Sequence, residues 1–185
     1  MSYVQKYYIS DTHFGHEAAI GFCQRPFSSV REMDEFMVDA WNSTVKPTDI
    51  IYHLGDFSFG GAAHAKQIFR RLNGRKILIL GNHDIDRDGS ALSYLNELAW
   101  DQAPTPALQV SDGGERLYLS HYAHRVWPSS NRGGYHFFGH THGREPHLGL
   151  SRDVGVDLED VAFTPRTFHH LKAALPGLQT YRDAI

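Results

Sequence analysis

One stretch near the middle of the chain limits its fold more than any other: an apolar run at residues 75–80 that ends in a glycine and three polar side chains. The run is short, rich in branched side chains and free of proline, which is typical of a buried β-strand. Asn82, His83 and Asp84 follow Gly81, so they lie at the carboxyl end of the predicted strand. In α/β folds, ligands bind in the crevice outside such strand ends.

Four further strand-like runs end in the same way. Each is followed by aspartate or histidine: Asp11 and His13 after residues 7–10, Asp56 after 50–55, His121 after 117–120, and His140 and His142 after 135–139. Five strand ends that carry Asp, Asn or His predict one convergent polar site.

The order of the predicted elements indicates an α/β fold with two sheets. Up to residue 80, strands alternate with helices at 17–23, from Ser28 or Ser29 to about 42, and at 65–72, which favours a largely parallel sheet. Beyond a short helix at 92–98, a hairpin (107–110 with 117–120) and strands at 135–138, 154–156 and 160–163 predict a second sheet. A last helix is predicted to start at Thr164-Pro165 and to end at Pro176-Gly177.

The composition is that of one globular domain covering residues 1–185. Hydrophobic residues make up 41% and charged residues 21%, which excludes a disordered or coiled-coil chain. No apolar run reaches the length of a membrane span and the amino terminus lacks a signal-peptide core, so a cytoplasmic protein is expected. The net charge of -3 disfavours extended nucleic-acid binding.

Thirteen histidines are the one compositional excess. Some of them follow predicted strands and lie beside other ligand-type residues, namely His83, His121, His140 and His142. Those on loops are predicted to be surface residues: His64, His147, His169 and His170. His53 lies within a strand and is predicted to be a core residue. Because Cys23 is the only cysteine, any metal must be held by nitrogen and oxygen atoms.

The spacing of the polar residues suits metal binding. Asp11 and His13 are two apart, as are His140 and His142, so in an extended backbone each pair projects on one side. With Asp56, Asn82 and His121 they exceed the roughly four to six ligands of one transition metal. Two ions are therefore predicted, with Asp56 as the bridge. Imidazole, carboxylate and amide ligands suit Mn, Fe, Zn or Ni better than Ca, and Mn is expected first.

These blocks, taken in order, resemble the signature of the calcineurin-like metallophosphoesterases. They are Asp11-Thr12-His13, Gly55-Asp56, Gly81-Asn82-His83-Asp84, His121 and Gly139-His140-Thr141-His142. The resemblance covers residues 6–142 and is greatest to the small, cap-free bacterial and phage members. It implies two facing mixed β-sheets flanked by helices, a four-layer α/β/β/α sandwich. It also implies that Asp11, His13, Asp56 and His142 hold one ion, and Asp56, Asn82, His121 and His140 the other.

The chemistry implied by the resemblance is in-line attack of a metal-bound hydroxide on a phosphate mono- or diester. His83 is free to protonate the leaving oxygen if Asn82 is the ligand, and Asp84 is expected to orient His83 and keep it protonated. Arg25, from an Arg-Pro-Phe segment, is a candidate phosphate contact, and His16 and His124 are candidate substrate contacts.

The expected enzyme is a metal-dependent phosphoric ester hydrolase acting on a nucleotide-type or other small phosphorylated substrate. Two alternatives stay open at this point. One is a nuclease or nucleic-acid-processing subunit, and the other is a non-catalytic interaction module on the same fold. No bulky cap domain is available to define a pocket, so the natural substrate is left undefined.

Overall fold

The computed structural model describes residues 4–175, which form eight strands and five α-helices. The strands are β1 (Lys6–Ile9), β2 (Ile50–His53), β3 (Arg75–Leu78), β4 (Ala107–Asp112), β5 (Glu115–Ser120), β6 (Tyr135–Phe138), β7 (Ser151–Asp153) and β8 (Arg166–Thr167). The helices are α1 (Glu17–Phe22), α2 (Val30–Thr44), α3 (Gly61–Arg71), α4 (Ser93–Asn96) and α5 (Phe168–Ala173). A 3₁₀ turn covers Ser130–Arg132.

The first sheet has the strand order β3-β2-β1-β8. β1, β2 and β3 are parallel, with Tyr8 opposite Tyr52 and Tyr52 opposite Ile77, whereas β8 runs antiparallel to β1. Helix α2 begins after Ser29, whose hydroxyl accepts from the Glu32 N–H as an N-cap. The crossover helices place three strand ends on the same edge of this sheet.

The second sheet has the order β4-β5-β6-β7. β4 and β5 form the predicted hairpin around Gly113 and Gly114, and β5, β6 and β7 are parallel to one another. The carboxyl ends of β5 and β6 therefore also share an edge.

Two apolar clusters show how the layers pack. One joins the first sheet to α2 and α3, through residues such as Ile51, Met37 and Phe69. The other lies between the sheets, where the Tyr8 ring meets the Phe137 ring edge-on at 5.2 Å. The predicted α/β fold of two facing mixed sheets flanked by helices is confirmed. Within residues 4–175, no helix is both long and apolar enough to cross a membrane.

The end of the chain departs from the prediction. Residues 154–156 and 160–163 are not strands, because the backbone there forms turns, and Val156 N donates to Ser10 O. The strands are instead β7 and β8, just outside the predicted ranges. The last helix starts at Phe168 rather than at Pro165, since the Thr167 hydroxyl caps it by accepting from His170 N. Its predicted end at Pro176-Gly177 lies outside the described residues.

Candidate metal centre

The polar residues that follow β1, β2, β3, β5 and β6 converge on one edge of the sandwich. Backbone hydrogen bonds join the first two ends, from Asp11 N to Gly55 O and from His13 N to Asp56 O, both at 3.0 Å. The two sheets are tied together where the Asp11 carboxylate accepts from His140 N at 2.9 Å. All seven ligand-type residues predicted from the sequence lie at or beside this edge.

Five of these residues have a left-handed backbone. Among residues 4–175, nine non-glycine residues have positive φ, and five of the nine are Asp11, His13, Asp56, His140 and His142. The expectation of an extended backbone at Asp11 and His13 is therefore wrong, and so is the same expectation at His140 and His142. The side chains of Asp11 and His13 nevertheless place ligand atoms within 4.8 Å of each other. Alternate residues turn into the left-handed region, which Asp and His tolerate better than most residues do. Such strained backbone is typical of sites where geometry is over-determined by its surroundings.

Two glycines allow the strand ends to approach closely. A Cβ at Gly81 would collide with the Asp56 carboxylate, and a Cβ at Gly139 would collide with the side chains of Ser10 and Asp11. Any larger residue at either position would push a carboxylate out of the site.

Asp11, His13 and His142 form the first ligand group. Each offers one ligand atom, and the three atoms lie within 4.8 Å of one another. Asp11 is completely buried and His13 is 2% exposed, whereas His142 is half-buried. This group joins the carboxyl end of β1 to that of β6.

Asp56, His121 and His140 form the second ligand group, by the same 4.8 Å separation. Asn82 belongs beside them, because its Oδ1 is 3.1 Å from His121 Nε2. The other ring nitrogen of His121 donates to Leu54 O at 2.8 Å, which leaves Nε2 directed into the site.

Asp56 lies between the two groups. Its Oδ2 is 3.5 Å from His13 Nε2 and 3.6 Å from His121 Nε2, while its Oδ1 accepts from His83 N at 2.9 Å. Within residues 4–175, His13 Nε2 is buried and has no hydrogen-bond partner, a costly state that a cation would relieve. The donor set of imidazole, carboxylate and amide fits divalent transition metals.

Asp157, which is not among the residues predicted for the site, supports the first group. Its Oδ2 accepts from His142 Nδ1 at 2.6 Å, so His142 presents Nε2 to the site. Arg25 holds the same carboxylate through Nε at 2.8 Å and donates to the carbonyls of Asp11 and Thr12.

Arg25 is therefore not the phosphate contact expected from the Arg-Pro-Phe segment. Its side chain is fully buried, and its donors are used on Asp157 and on the backbone around Asp11. The guanidinium joins the turn after β1 to the loop that carries Asp157 and thereby fixes the first ligand group.

Asp153 is a second carboxylate that the sequence did not single out. Its Oδ2 accepts from the Thr141 hydroxyl and from Gly143 N, and its Oδ1 accepts from Gly155 N. These bonds fix the turn that carries His140 and His142. The available sequence signal was two carboxylates four apart, Asp153 and Asp157, around a glycine in an otherwise apolar segment.

His83 and Asp84 point in different directions, so Asp84 does not orient His83 as expected. Asp84 is completely buried and accepts from the backbone N–H groups of Asp56, Phe57 and Gly81. His83 has a side chain that is 39% exposed, and its Nε2 is 3.9 Å from Asp56 Oδ2. Asp84 therefore supports the backbone of the second group, whereas His83 lies at the open side of the site.

The remaining candidates differ in their distance from the centre. His16 lies at the mouth, with its Nδ1 3.3 Å from His13 Nδ1 and its ring stacked on Phe59 at 4.0 Å. His124 instead packs against Tyr118 and His136, away from both ligand groups. The predicted core position of His53 is confirmed, since it is fully buried with Nε2 2.9 Å from the Thr12 hydroxyl.

Burial sets the protonation of the metal-free site. It raises the pKa of the Asp11 carboxyl to about 7 and, with help from Arg25, lowers the pKa of His13 to about 2. Burial also works against a charged His142, but the hydrogen bonds with Asp157 and Cys23 and the charge of Asp11 together outweigh it and raise the pKa of His142 to about 10. Asp84 likewise has its pKa raised by burial, to about 6.

No family model matches the chain. The gene 66 protein of Mycobacterium phage L5 is 31% identical over an alignment of 192 positions, which covers 82% of this chain and 92% of the phage protein. The chain belongs to the family of that phage protein. An uncharacterized protein of Methanocaldococcus jannaschii, MJ1445, is 45% identical over 86 residues, and this match spans 45% of the chain and about half (49%) of the archaeal protein.

A solved structure agrees with the fold over nearly the whole chain. The protein of unknown function AQ665 from Aquifex aeolicus superimposes with a TM-score of 0.69 at 24% identity, covering 94% of this chain and all of that chain. This likeness agrees with the predicted fold of two facing mixed sheets flanked by helices.

Proposed function

We propose that the protein is a phosphoesterase that works with two divalent transition-metal ions. The observation that carries the proposal is the Asp56 carboxylate, which lies between two ligand groups and within 3.6 Å of a histidine nitrogen of each. The unpaired, buried Nε2 of His13 supports a cation at this position. Mn²⁺ is the first ion to test, with Fe, Zn and Ni as alternatives.

The residues present divide into two sets that share Asp56. Asp11, His13, Asp56 and His142 would hold one ion, and Asp56, Asn82, His121 and His140 the other. When bound, two such ions acidify a water molecule and neutralise the charge on the phosphoryl oxygens. The protein's own contribution is to place seven ligand side chains around the site, through strained backbone turns and through the hydrogen bonds that Arg25 donates and that Asp153 and Asp84 accept.

His83 is the residue that would protonate the leaving oxygen. It is exposed, lies beside Asp56 and is not needed as a ligand when Asn82 is present. Its ring packs edge-on against Phe59 at 4.5 Å, which limits its orientation. A positioned imidazole of this kind can act as a general acid near neutral pH.

The mouth of the site supports a substrate that carries a planar ring. Three exposed aromatic residues border it, each beside a histidine of the site: Phe22 near His16, Phe59 against His83 and Tyr122 against His140. Exposed aromatic rings next to a charged centre can stack on a base while the phosphate lies on the ions. We therefore infer a small, nucleotide-type phosphoester as substrate.

A panel of phosphoesters tests the proposal. Purified protein is stripped of metal, reloaded separately with Mn, Ni, Zn or Mg, and assayed on aryl and alkyl mono- and diesters, a mononucleotide and a short single-stranded oligonucleotide. Turnover of small esters that requires metal and is abolished in Asp56→Asn supports the proposal. Preference for the oligonucleotide would instead indicate a nuclease, and absence of turnover on every substrate would indicate a binding module.

A further inference from the structure

Asp34 and His64 form a pair beneath the mouth of the site that the proposed chemistry does not use. Asp34 lies on α2 and is 5% exposed, and His64 lies on α3. Asp34 Oδ2 accepts from His64 Nε2 at 2.9 Å. The prediction that His64 is a plain surface residue is therefore wrong, because its ring is tied to a buried carboxylate.

The other oxygen of Asp34 reaches the turn after β1. Asp34 Oδ1 accepts from Gly15 N at 3.0 Å, and Gly15 has a φ of +78°. The His64 ring also packs tightly against this turn and against Gly60, because a Cβ at either glycine would collide with it. One pair of side chains thus contacts two backbone segments.

Those two segments carry the rings at the mouth. Phe14 O accepts from both Phe59 N, at 2.8 Å, and Gly60 N, at 3.2 Å, which ties the segments together. His16 follows Gly15, and its ring stacks on Phe59 with centroids 4.0 Å apart and planes within 9°. Asp34 and His64 therefore support a stacked pair of rings beside the site without touching the ligand groups.

We propose that Asp34 and His64 are positioning residues that hold the His16–Phe59 stack in place to receive the planar ring of the substrate. The proposal rests on the proposed function insofar as the phosphate end of the same ligand binds the metal centre. It predicts that loss of the pair weakens binding of the ring of the ligand and leaves binding of its phosphate unchanged. A purely structural role would affect both ends alike.

The surroundings of His64 make the test feasible. A cleft of about 540 Å³ lies over the pair and is lined by Arg31, Gln67 and Arg71 among others. Shortening His64 therefore enlarges a space that already reaches solvent and leaves the apolar core intact. His64→Gln keeps an N–H that can donate to Asp34, and His64→Ala removes it. Gln67→Ala, on the same helix and the same cleft, is the matched control.

The experiment measures binding by calorimetry on Mn-loaded protein, with adenosine 5′-thiophosphate and inorganic thiophosphate as a pair of ligands that differ by the nucleoside. Wild type should bind the nucleoside ligand more tightly. In His64→Ala the ratio of the two affinities should fall about five- to tenfold, which is part of the usual contribution of one stacked base. Its thiophosphate affinity and metal content should stay unchanged, His64→Gln should recover most of the preference, and Gln67→Ala should match wild type.

Three results would overturn the positioning role. They are a wild type without preference for the nucleoside ligand, an unchanged preference in His64→Ala, or an equal loss of affinity for both ligands. Failure of the proposed function is a separate outcome, since it would appear as absence of phosphoester turnover in wild type with all four metals. The binding comparison decides the role of His64 in either case.

Discussion

The two ligand groups of the site are built differently, although Asp56 lies between them. In the first group His142 is held by Asp157, and Asp157 by Arg25, so each donor is fixed by a neighbour. In the second group His121 is fixed by Leu54 O, but the His140 ring is exposed, and no hydrogen bond holds it within residues 4–175. It is placed only by ring contacts with Tyr122 at 4.6 Å and with His121 at 5.1 Å.

Under the proposed function, this difference would give the two groups different tasks. A buried group with fixed donors is organised before the ion arrives, so little ordering opposes binding. A group with one loosely held donor facing solvent leaves room for a substrate. We therefore expect the first group to retain its ion more firmly and the second to exchange its ion more readily.

Replacing Asp56 should abolish the difference between the two ligand groups and give the largest effect. Asp56→Asn should weaken the binding of both ions because it removes the carboxylate charge that lies between the two groups. Activity should fall to the level of metal-free protein. His142→Ala should keep one ion. Elemental analysis after metal loading gives the measurement. Equal metal losses in the two variants, or a wild type that saturates at one ion, would contradict the bridging role.

His83 belongs to neither group, and its loss should leave both of them loaded. His83→Ala should lose roughly 10²- to 10⁴-fold in rate, the usual contribution of a positioned general acid, and should keep near-normal metal content. The loss should be smaller on a nitrophenyl ester than on an alkyl ester, because nitrophenolate leaves without a proton. The measurement is kcat/KM on matched aryl and alkyl esters.

Asp84→Asn provides the contrast for this prediction. Because Asp84 accepts three backbone N–H groups around the second ligand group, its replacement should reduce stability and metal content and slow both esters equally. A selective effect on the alkyl ester would mean that Asp84 acts through His83 after all. Thermal unfolding with and without Mn separates the two outcomes.

Loss of Asp157 should weaken only the first group. Asp157→Asn replaces the carboxylate that orients His142, and such supporting partners are worth about 10- to 100-fold in metal affinity. Titration should show one weakened and one unchanged site. Glu159→Gln, an exposed change in the same loop, is the control and should bind as wild type. Weakening of both sites to the same degree would remove the distinction between the groups.

The smallest effect is a dependence of metal binding on pH at the first group. The pKa of Asp11 is raised to about 7 and that of His142 to about 10, so both side chains bind protons at neutral pH in the metal-free protein. An ion must displace these protons, so affinity should fall as pH falls, by up to about tenfold per pH unit for each proton. His13, with its pKa lowered to about 2, adds nothing to this slope above pH 3.

Calorimetry in buffers of different ionisation enthalpy counts the protons released. Excess metal should shift the acid limb of activity to lower pH, because mass action opposes protonation. A limb that stays fixed as the metal concentration rises would show that ligand protonation does not cause it.

The sequence predicted the strand ends and their convergence because both depend on local patterns. Short apolar runs and the polar residues that follow them are visible over a few positions, so Asp56 and His121 could be selected directly. Asp84 and His83 show the limit, since neighbours in sequence leave a turn in opposite directions. The left-handed backbone at Asp11 and His13 was also hidden, because it depends on carbonyl partners supplied by the turn after β2.

The supporting roles of Asp157 and Arg25 escaped prediction for a different reason, although Arg25 itself was selected as a candidate phosphate contact. The two residues act through a contact between segments 132 positions apart, and no local sequence pattern predicts such a contact. The misplaced last strands have the same origin. Val154 and Val156 are buried and apolar like strand residues, yet their segment serves the site by bonding to Ser10 and Phe138.

The span of the Arg25–Asp157 contact also determines when the site can form during synthesis of the chain. A nascent chain that has emerged only as far as residue 142 already contains all seven donor side chains but lacks the carboxylate that orients His142 and neutralises Arg25. Contacts between distant segments form late because closing a long loop costs entropy first. The centre should therefore become competent for its first ion only after residue 157 has left the ribosome, so that a chain stalled before this point carries its donor side chains without an organised metal site.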